Sequence, residues 1–234
     1  MNIGYKFKVF VELFFEQGGW KRVITEGLRN TLLIAVIGLL IGIVIGTLIA
    51  VIRVMPKYKK LPRFLDRACT VYVGFFRGTP IVVQLLIAYY VLFPIMGLNI
   101  PSLLTCILVF GFNSGAYVSE VMRGGINSVD RGQLEAGRAV GLSFAATMLK
   151  IVVPQAVKNI LPTLGNEFIV LIKDTSIVSF IAVVDLTKAF RMIGDANYEY
   201  VIPYLFLAAV YLVIVFAITM GIRAMERRLK KSER

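Results

Sequence analysis

The sequence predicts an all-α, polytopic membrane protein with five spanning helices, its N-terminus outside and its C-terminus in the cytoplasm. Three observations predict this. Hydrophobic residues fill 58% of the 234 positions and charged residues only 17%, against about a quarter in soluble domains. The mean hydropathy of +0.78 agrees, and the charges fall in blocks between long apolar stretches. The bases are also spread unevenly over those blocks, as the positive-inside rule requires of cytoplasmic loops.

The chain opens on an interfacial segment, 1–26. From Tyr5 to Phe15 apolar side chains alternate with Lys6, Lys8 and Glu12, and Gly18-Gly19-Trp20 follows. This is too charged for a signal-peptide core. It fits an amphipathic helix lying in the membrane interface, with Trp20 at headgroup level. A spanning region, 27–228, and a basic cytoplasmic tail, 229–234, complete the division.

A spanning helix needs about 20 apolar residues. The first such stretch, about 30–53, lies between Arg29 and Arg53. Gly78 to Ser119 is long enough for two passes, about 78–95 and 101–122, divided at Pro94–Pro101, where Gly97 and Asn99 mark a turn. The fourth, about 159–184, is interrupted by Glu167 and by Lys173-Asp174, and the fifth covers about 200–222. Between Arg53 and Arg77 seven bases face one acid, and the tail from Arg223 carries six bases against two acids. Both belong inside, as does the loop 123–154. Asp185 to Glu199, with three acids against two bases, belongs outside. Gly38, Gly42 and Gly46 recur at every fourth position of the first span. Such a stripe lets helix backbones approach closely, within this subunit or against a partner.

Composition also sets aside several functions. The net charge of +12 is explained by cytoplasmic bases rather than by a nucleic-acid groove. Histidine is absent, which removes the commonest metal ligand and the usual activator of a Ser or Cys nucleophile. Cys69 and Cys106 lie in different segments without metal or disulfide spacing. No phosphate-binding G-x-x-x-x-G-K-[ST] occurs, so ATP is not held by that route. The chain is expected to be no enzyme and to carry no cofactor or metal.

The polar residues inside the spans hold the chemistry. Asn113, Tyr117 and Glu120 are spaced i, i+4, i+7 and share a helix face. A charge at mid-membrane costs about 3 kcal/mol on insertion scales, so it faces a cavity or a partner. Lys173 and Asp174 point about 100° apart on a helix and cannot fully satisfy each other. Asp174 with Thr175 is expected on a substrate path. For Glu120 and Lys173 two readings stand, substrate contact or an ion pair between helices, Arg123 being one partner for Glu120. Glu167 is expected to be structural.

The loop 123–154 contains Glu135-Ala136, Gly141 six positions after the acid, and Ile151-Val-Val-Pro154. This resembles the EAA loop of ABC-importer permeases, with Gly137 where a second alanine is usual and Val153 where leucine often stands. Arg77-Gly-Thr-Pro80 followed by Gln84, Ala116 to Ile126, Gly165-Asn-Glu-Phe168 and Leu171 to Ser176 look like blocks of the polar-amino-acid permeases, in family order from about Gly27 to Arg228. The resemblance implies a type I importer in the cytoplasmic membrane. Its partners would be an ABC ATP-binding subunit, a second permease (identical or related) and an extracytoplasmic amino-acid-binding protein. It further implies that Glu135, Ala136, Gly141 and Pro154 form the coupling element on the ATPase. Asp174, Thr175, Asn113, Tyr117, Glu120 and Lys173 are then the candidate contacts for a polar amino acid. A secondary transporter or channel would instead show inverted repeats and usually more spans. A simple membrane anchor would leave the charges within spans unexplained.

Overall fold

The computed structural model describes residues 3–55, 58 and 60–231. Lys57 and Lys59 of the basic loop, and the last three residues of the tail 229–234, lie outside the described residues. The described chain is helical throughout, without strands.

Helix α1 (Ile3–Val11) turns at Gly18, whose φ of 77° is left-handed, into α2 (Gly19–Val54). The sequence placed a boundary between the interfacial segment 1–26 and a span from 30. Instead α2 runs unbroken through it for 36 residues, with a π-helical stretch at Val23–Leu28. The cause is local: no proline stands between Trp20 and Thr31, so no backbone N–H of the helix is lost there. The amphipathic α1 does form. Phe10 is buried, stacks on Phe14 at 5.3 Å and meets Phe206 at 4.5 Å, while Lys6 pairs with Glu199 at 2.7 Å.

Helix α3 (Lys60–Gly78) and helix α4 (Ile81–Ile95) meet at a 104° bend. The expected span 78–95 is thus the shorter arm of a bent pair, because Pro80 cannot donate the hydrogen bond that would continue α3. Helix α5 (Ser102–Asn127) is the third expected span, extended by five residues at its end. A short helix α6 (Arg131–Ala139) and the turn α7 (Phe144–Thr147) follow. A π-helical turn at Met148–Val152 then leads into α8 (Val153–Asp174). Pro154 was expected to limit a helix. It lies near the start of α8 within a helical path running from 144, and the wider π turn before it absorbs its missing N–H.

The expected span 159–184 is not one helix either. The α-helix ends at Asp174, tightens into a 3-10 turn over Thr175–Ile181, and stops at Ala182 with φ 66°. Helix α9 (Leu186–Asp195) and the long α10 (Val201–Lys231) complete the chain. Among the described residues α2, α5 and α10 are long and apolar enough to cross a membrane alone, and the bent pair α3–α4 supplies a further crossing if it counts as one.

The glycine stripe is used within the subunit. A Cβ on Gly46 would lie 2.7 Å from Val118 Cγ1, and one on Gly42 would strike Ser114. Helix α5 answers in kind, since a Cβ on Gly111 or Gly115 would lie 2.6 Å from Ile41 Cγ2 or 2.7 Å from Ile45 Cγ2. Separations below about 3.5 Å between carbons are repulsive, so both backbones need glycine to sit this close. Gly125 fits likewise against Ile160, and Gly165 against Ile222, which brings α8 onto α5 and α10.

Two ends result. At one, α1, the start of α2, α9 and the start of α10 share a core of Phe10, Val23, Leu186, Phe190 and Ile202. Asp185 caps α9 there, accepting from Thr187 N at 2.8 Å and Lys188 N at 3.0 Å. Burial pushes its carboxyl up, against those bonds. At the other, α6 lies under Val54 and Asn127, the last residues of α2 and α5.

Candidate functional site

The two helix breaks build the site. The bend after α3 is fastened by Gln84, whose amide donates to Phe76 O at 2.9 Å and Thr79 O at 3.0 Å, while its oxygen accepts from Asn113 at 3.0 Å. This network sets the N-terminus of α4 beside α5. The stop at Asp174 sets the C-terminus of α8 beside the same place. Between them lies a cavity of about 410 Å³, lined by Arg77, Thr79, Pro80 and Ile81 on one side and Leu171 and Asp174 on another, with Asn113, Tyr117 and Glu167.

Helix ends carry partial charges, positive at the N-terminus and negative at the C-terminus. The α4 terminus, with Arg77 alongside, therefore favours an anionic group. The Asp174 carboxylate, where the α-helix passes into the 3-10 turn, favours a cation.

A second cavity of about 480 Å³ lies toward the α6 end. It is lined by Arg77, Tyr117, Glu120, Gly124, Ser128, Asn159, Thr163 and Glu167, among others. Glu120 binds Arg53 and accepts from Arg123 Nη2 at 2.6 Å, and Arg53 also approaches Asp66 at 4.0 Å. Its carboxylate thus ties α5 to α2, with Arg53 reaching on to α3, the helix-to-helix pairing that was one of its two readings.

Of the predicted substrate contacts, Asn113, Tyr117 and Asp174 line the first cavity and Glu120 the second. Thr175 is fully buried and donates to Ile172 O at 2.7 Å, and Lys173 is exposed away from both cavities. Two lining residues were passed over. Glu167 was set aside as structural and borders both cavities; Arg77 was quoted in a motif without a role and borders both as well. The signal for Glu167 was present, since Asn159, Thr163, Glu167 and Asp174 repeat at near-helical spacing on one face of α8.

The predicted coupling residues meet in one hairpin. Asp130 caps α6 by accepting from Gly132 N at 2.6 Å, and Gly141, with φ 88°, ends it as expected. Leu142 N closes the turn on Gly137 O at 3.1 Å. Glu135 and Ala136 lie exposed, while Gly137 is buried against Thr147. That contact explains why Gly137 departs from the usual alanine.

Comparison with known proteins agrees with this architecture. Residues 38–231 match the model of a family described as binding-protein-dependent transport system inner membrane component. The chain is 39% identical over 206 residues to a putative glutamine transport system permease of Rickettsia bellii (strain RML369-C), covering 88% of this chain and 92% of that protein. It is 36% identical to an arginine transport system permease of Bacillus subtilis (strain 168), covering 90% and 94%. Its fold is similar to a chain in the crystal structure of an amino acid ABC transporter with histidines, with a TM-score of 0.83, 36% identity, and coverage of 92% and 98%.

Proposed function

This chain belongs to the family of binding-protein-dependent transport system inner membrane components, and from that membership we propose that it is the permease subunit that carries a polar or charged amino acid across the cytoplasmic membrane. The observation that supports this most strongly is the cavity with an acid, Asp174, on one wall and Arg77 with the N-terminus of α4 on another. An amino-acid zwitterion has the matching form. Its ammonium lies against Asp174, and its carboxylate against Arg77 and the N-terminus of α4. Asn113 and Tyr117 border the bound molecule, and Thr175 shapes the site by ending α8 in a 3-10 turn.

The work comes from outside the chain. Glu135 and Ala136 present the exposed face of α6 to a separate ATP-binding subunit, with Gly141 setting the turn behind it. Pro154 stands where the hairpin joins α8, so a push on α6 reaches the α8 stripe directly. The α9 end faces outward, toward the amino-acid-binding protein, and a second permease, identical or related, completes the assembly. ATP-driven closure of the ATPase dimer draws two such hairpins together and opens the outer side; hydrolysis resets it.

Asp174→Asn tests the site. It keeps the size and removes the charge, losing a charge-assisted contact of about 1.5–3 kcal/mol, or roughly ten- to a hundredfold in affinity. Uptake is expected to fall by that factor in the reconstituted transporter while membrane yield and basal ATPase hold. Normal uptake with normal yield removes Asp174 from the site. A collapse in yield makes it half of a structural ion pair.

A further inference from the structure

We propose that Arg77 and Tyr117 form an inner gate, which divides the passage into an amino-acid site on the α9 side and an exit vestibule on the α6 side. The proposal rests on the permease reading above. The two cavities share three lining residues, Arg77, Tyr117 and Glu167, and those three form the neck between them. There the Arg77 guanidinium lies 5.4 Å from the centre of the Tyr117 ring, joining α3 to α5 across the path.

The backbone under Arg77 is fixed and its side chain is not. Phe76 and Thr79, on either side of it, are held by the Gln84 amide. Among the described residues no carboxylate lies within ion-pair distance of Arg77; its side chain rests on the Tyr117 ring, with Glu167 attracting it from farther off. A cation on an aromatic face is held far less firmly than one in a bidentate carboxylate pair. The carboxylate of an arriving amino acid therefore draws the guanidinium off the ring, and the substrate opens its own way.

The path continues below the neck. Glu167 is two helix turns from Asp174, about 10 Å along α8, and borders both chambers, so it takes over the ammonium that Asp174 releases. Thr163 and Asn159 extend the polar stripe, and Asn159 donates to Ser128 at 2.9 Å on the facing wall. Gly124 leaves open space there, a Cβ meeting nothing within 4 Å. The vestibule is thus roomy, with a polar stripe along its wall and one acid, Glu120, already neutralised by Arg53 and Arg123.

Single cysteines at Val170, above the neck, and Thr163, below it, test the gate in the assembled transporter with Cys69 and Cys106 replaced by alanine. The probe is a membrane-impermeant maleimide applied from the cytoplasmic side without substrate. Thr163→Cys is expected to label at least tenfold faster than Val170→Cys. Adding Arg77→Ala or Tyr117→Leu is expected to bring Val170→Cys up to the Thr163→Cys rate, with the latter unchanged as a control for folding. Tyr117→Phe, which keeps the ring, retains protection. Equal labelling of both positions with Arg77 and Tyr117 intact, or no rise at Val170→Cys in either variant, overturns the gate. Uptake by the unmodified transporter is measured separately, so its failure would fall on the permease reading and not on the gate.

Discussion

Gly137→Ala places alanine where the EAA loops that this hairpin resembles usually have it, and here it should damage the protein. The new Cβ would overlap Thr147 Cγ2 and lie 3.0 Å from Thr147 Oγ1 and 3.2 Å from Ile151 Cδ1. Thr147 is fully buried, and its hydroxyl donates to Ser143 O at 3.0 Å, so the side chain cannot rotate away without breaking that bond. Overpacking of this kind costs about 1–3 kcal/mol. For a chain of this size each kcal/mol lowers Tm by about 2–4 °C, so a drop of about 4–8 °C is expected for a mid-range cost. Thr147→Ser removes only the offending methyl and keeps the hydroxyl bond. In the double variant most of the loss should return, with a coupling energy of about 1–2 kcal/mol between the two sites. Thermal unfolding of the four purified proteins in one detergent reads the cycle. An unchanged Tm for Gly137→Ala, or strict additivity in the double variant, would falsify the packing argument for this hairpin.

Two further outcomes follow from the two ends of the molecule. Lys6 holds the Glu199 carboxyl below its ordinary range, chiefly by a direct hydrogen bond; a depressed acid stabilises above its unfolded pKa, about 4.3, and loses that stability as pH falls through the lower folded value. Trp20 is the single tryptophan and adjoins this docked segment, so its emission should change in acid, below about pH 4, and Glu199→Gln should abolish the change; a transition of equal size in that variant would exclude the ion pair as its cause. At the α6 end, Glu135→Lys reverses the charge of the exposed coupling face and is expected to leave insertion intact while cutting stimulation of the ATP-binding subunit about tenfold, as suits loss of one charged contact. Unaltered stimulation would detach Glu135 from coupling.

The sequence made the long apolar helices legible because hydropathy alone decides them: α2, α5 and α10 stand where uncharged stretches were found. It was less informative where helices break. Glu167 and the charged pair Lys173-Asp174 signalled an interruption and Pro80 was passed over inside a span, but a span count treats each stretch as continuous and cannot show that two breaks face one cavity. Nor could it choose a partner for the glycine stripe, since close approach depends on Ser114 and Val118, more than sixty residues away in the chain. Glu120 kept two readings for the same reason, because Arg53 lies 67 positions off. Arg77 needed the 104° bend before its place at the neck had meaning.

The central claim is that this chain moves amino acids only when an ATP-binding subunit drives it. Proteoliposomes holding the chain with its ATP-binding subunit and binding protein, loaded with ATP on the α6 side, measure this with radiolabelled glutamine and arginine in turn. The account predicts accumulation of at least one of them against its gradient, abolished when ATP is withheld and unaffected when ion gradients are collapsed. Accumulation that survives without ATP but stops when the ion gradients collapse would contradict it.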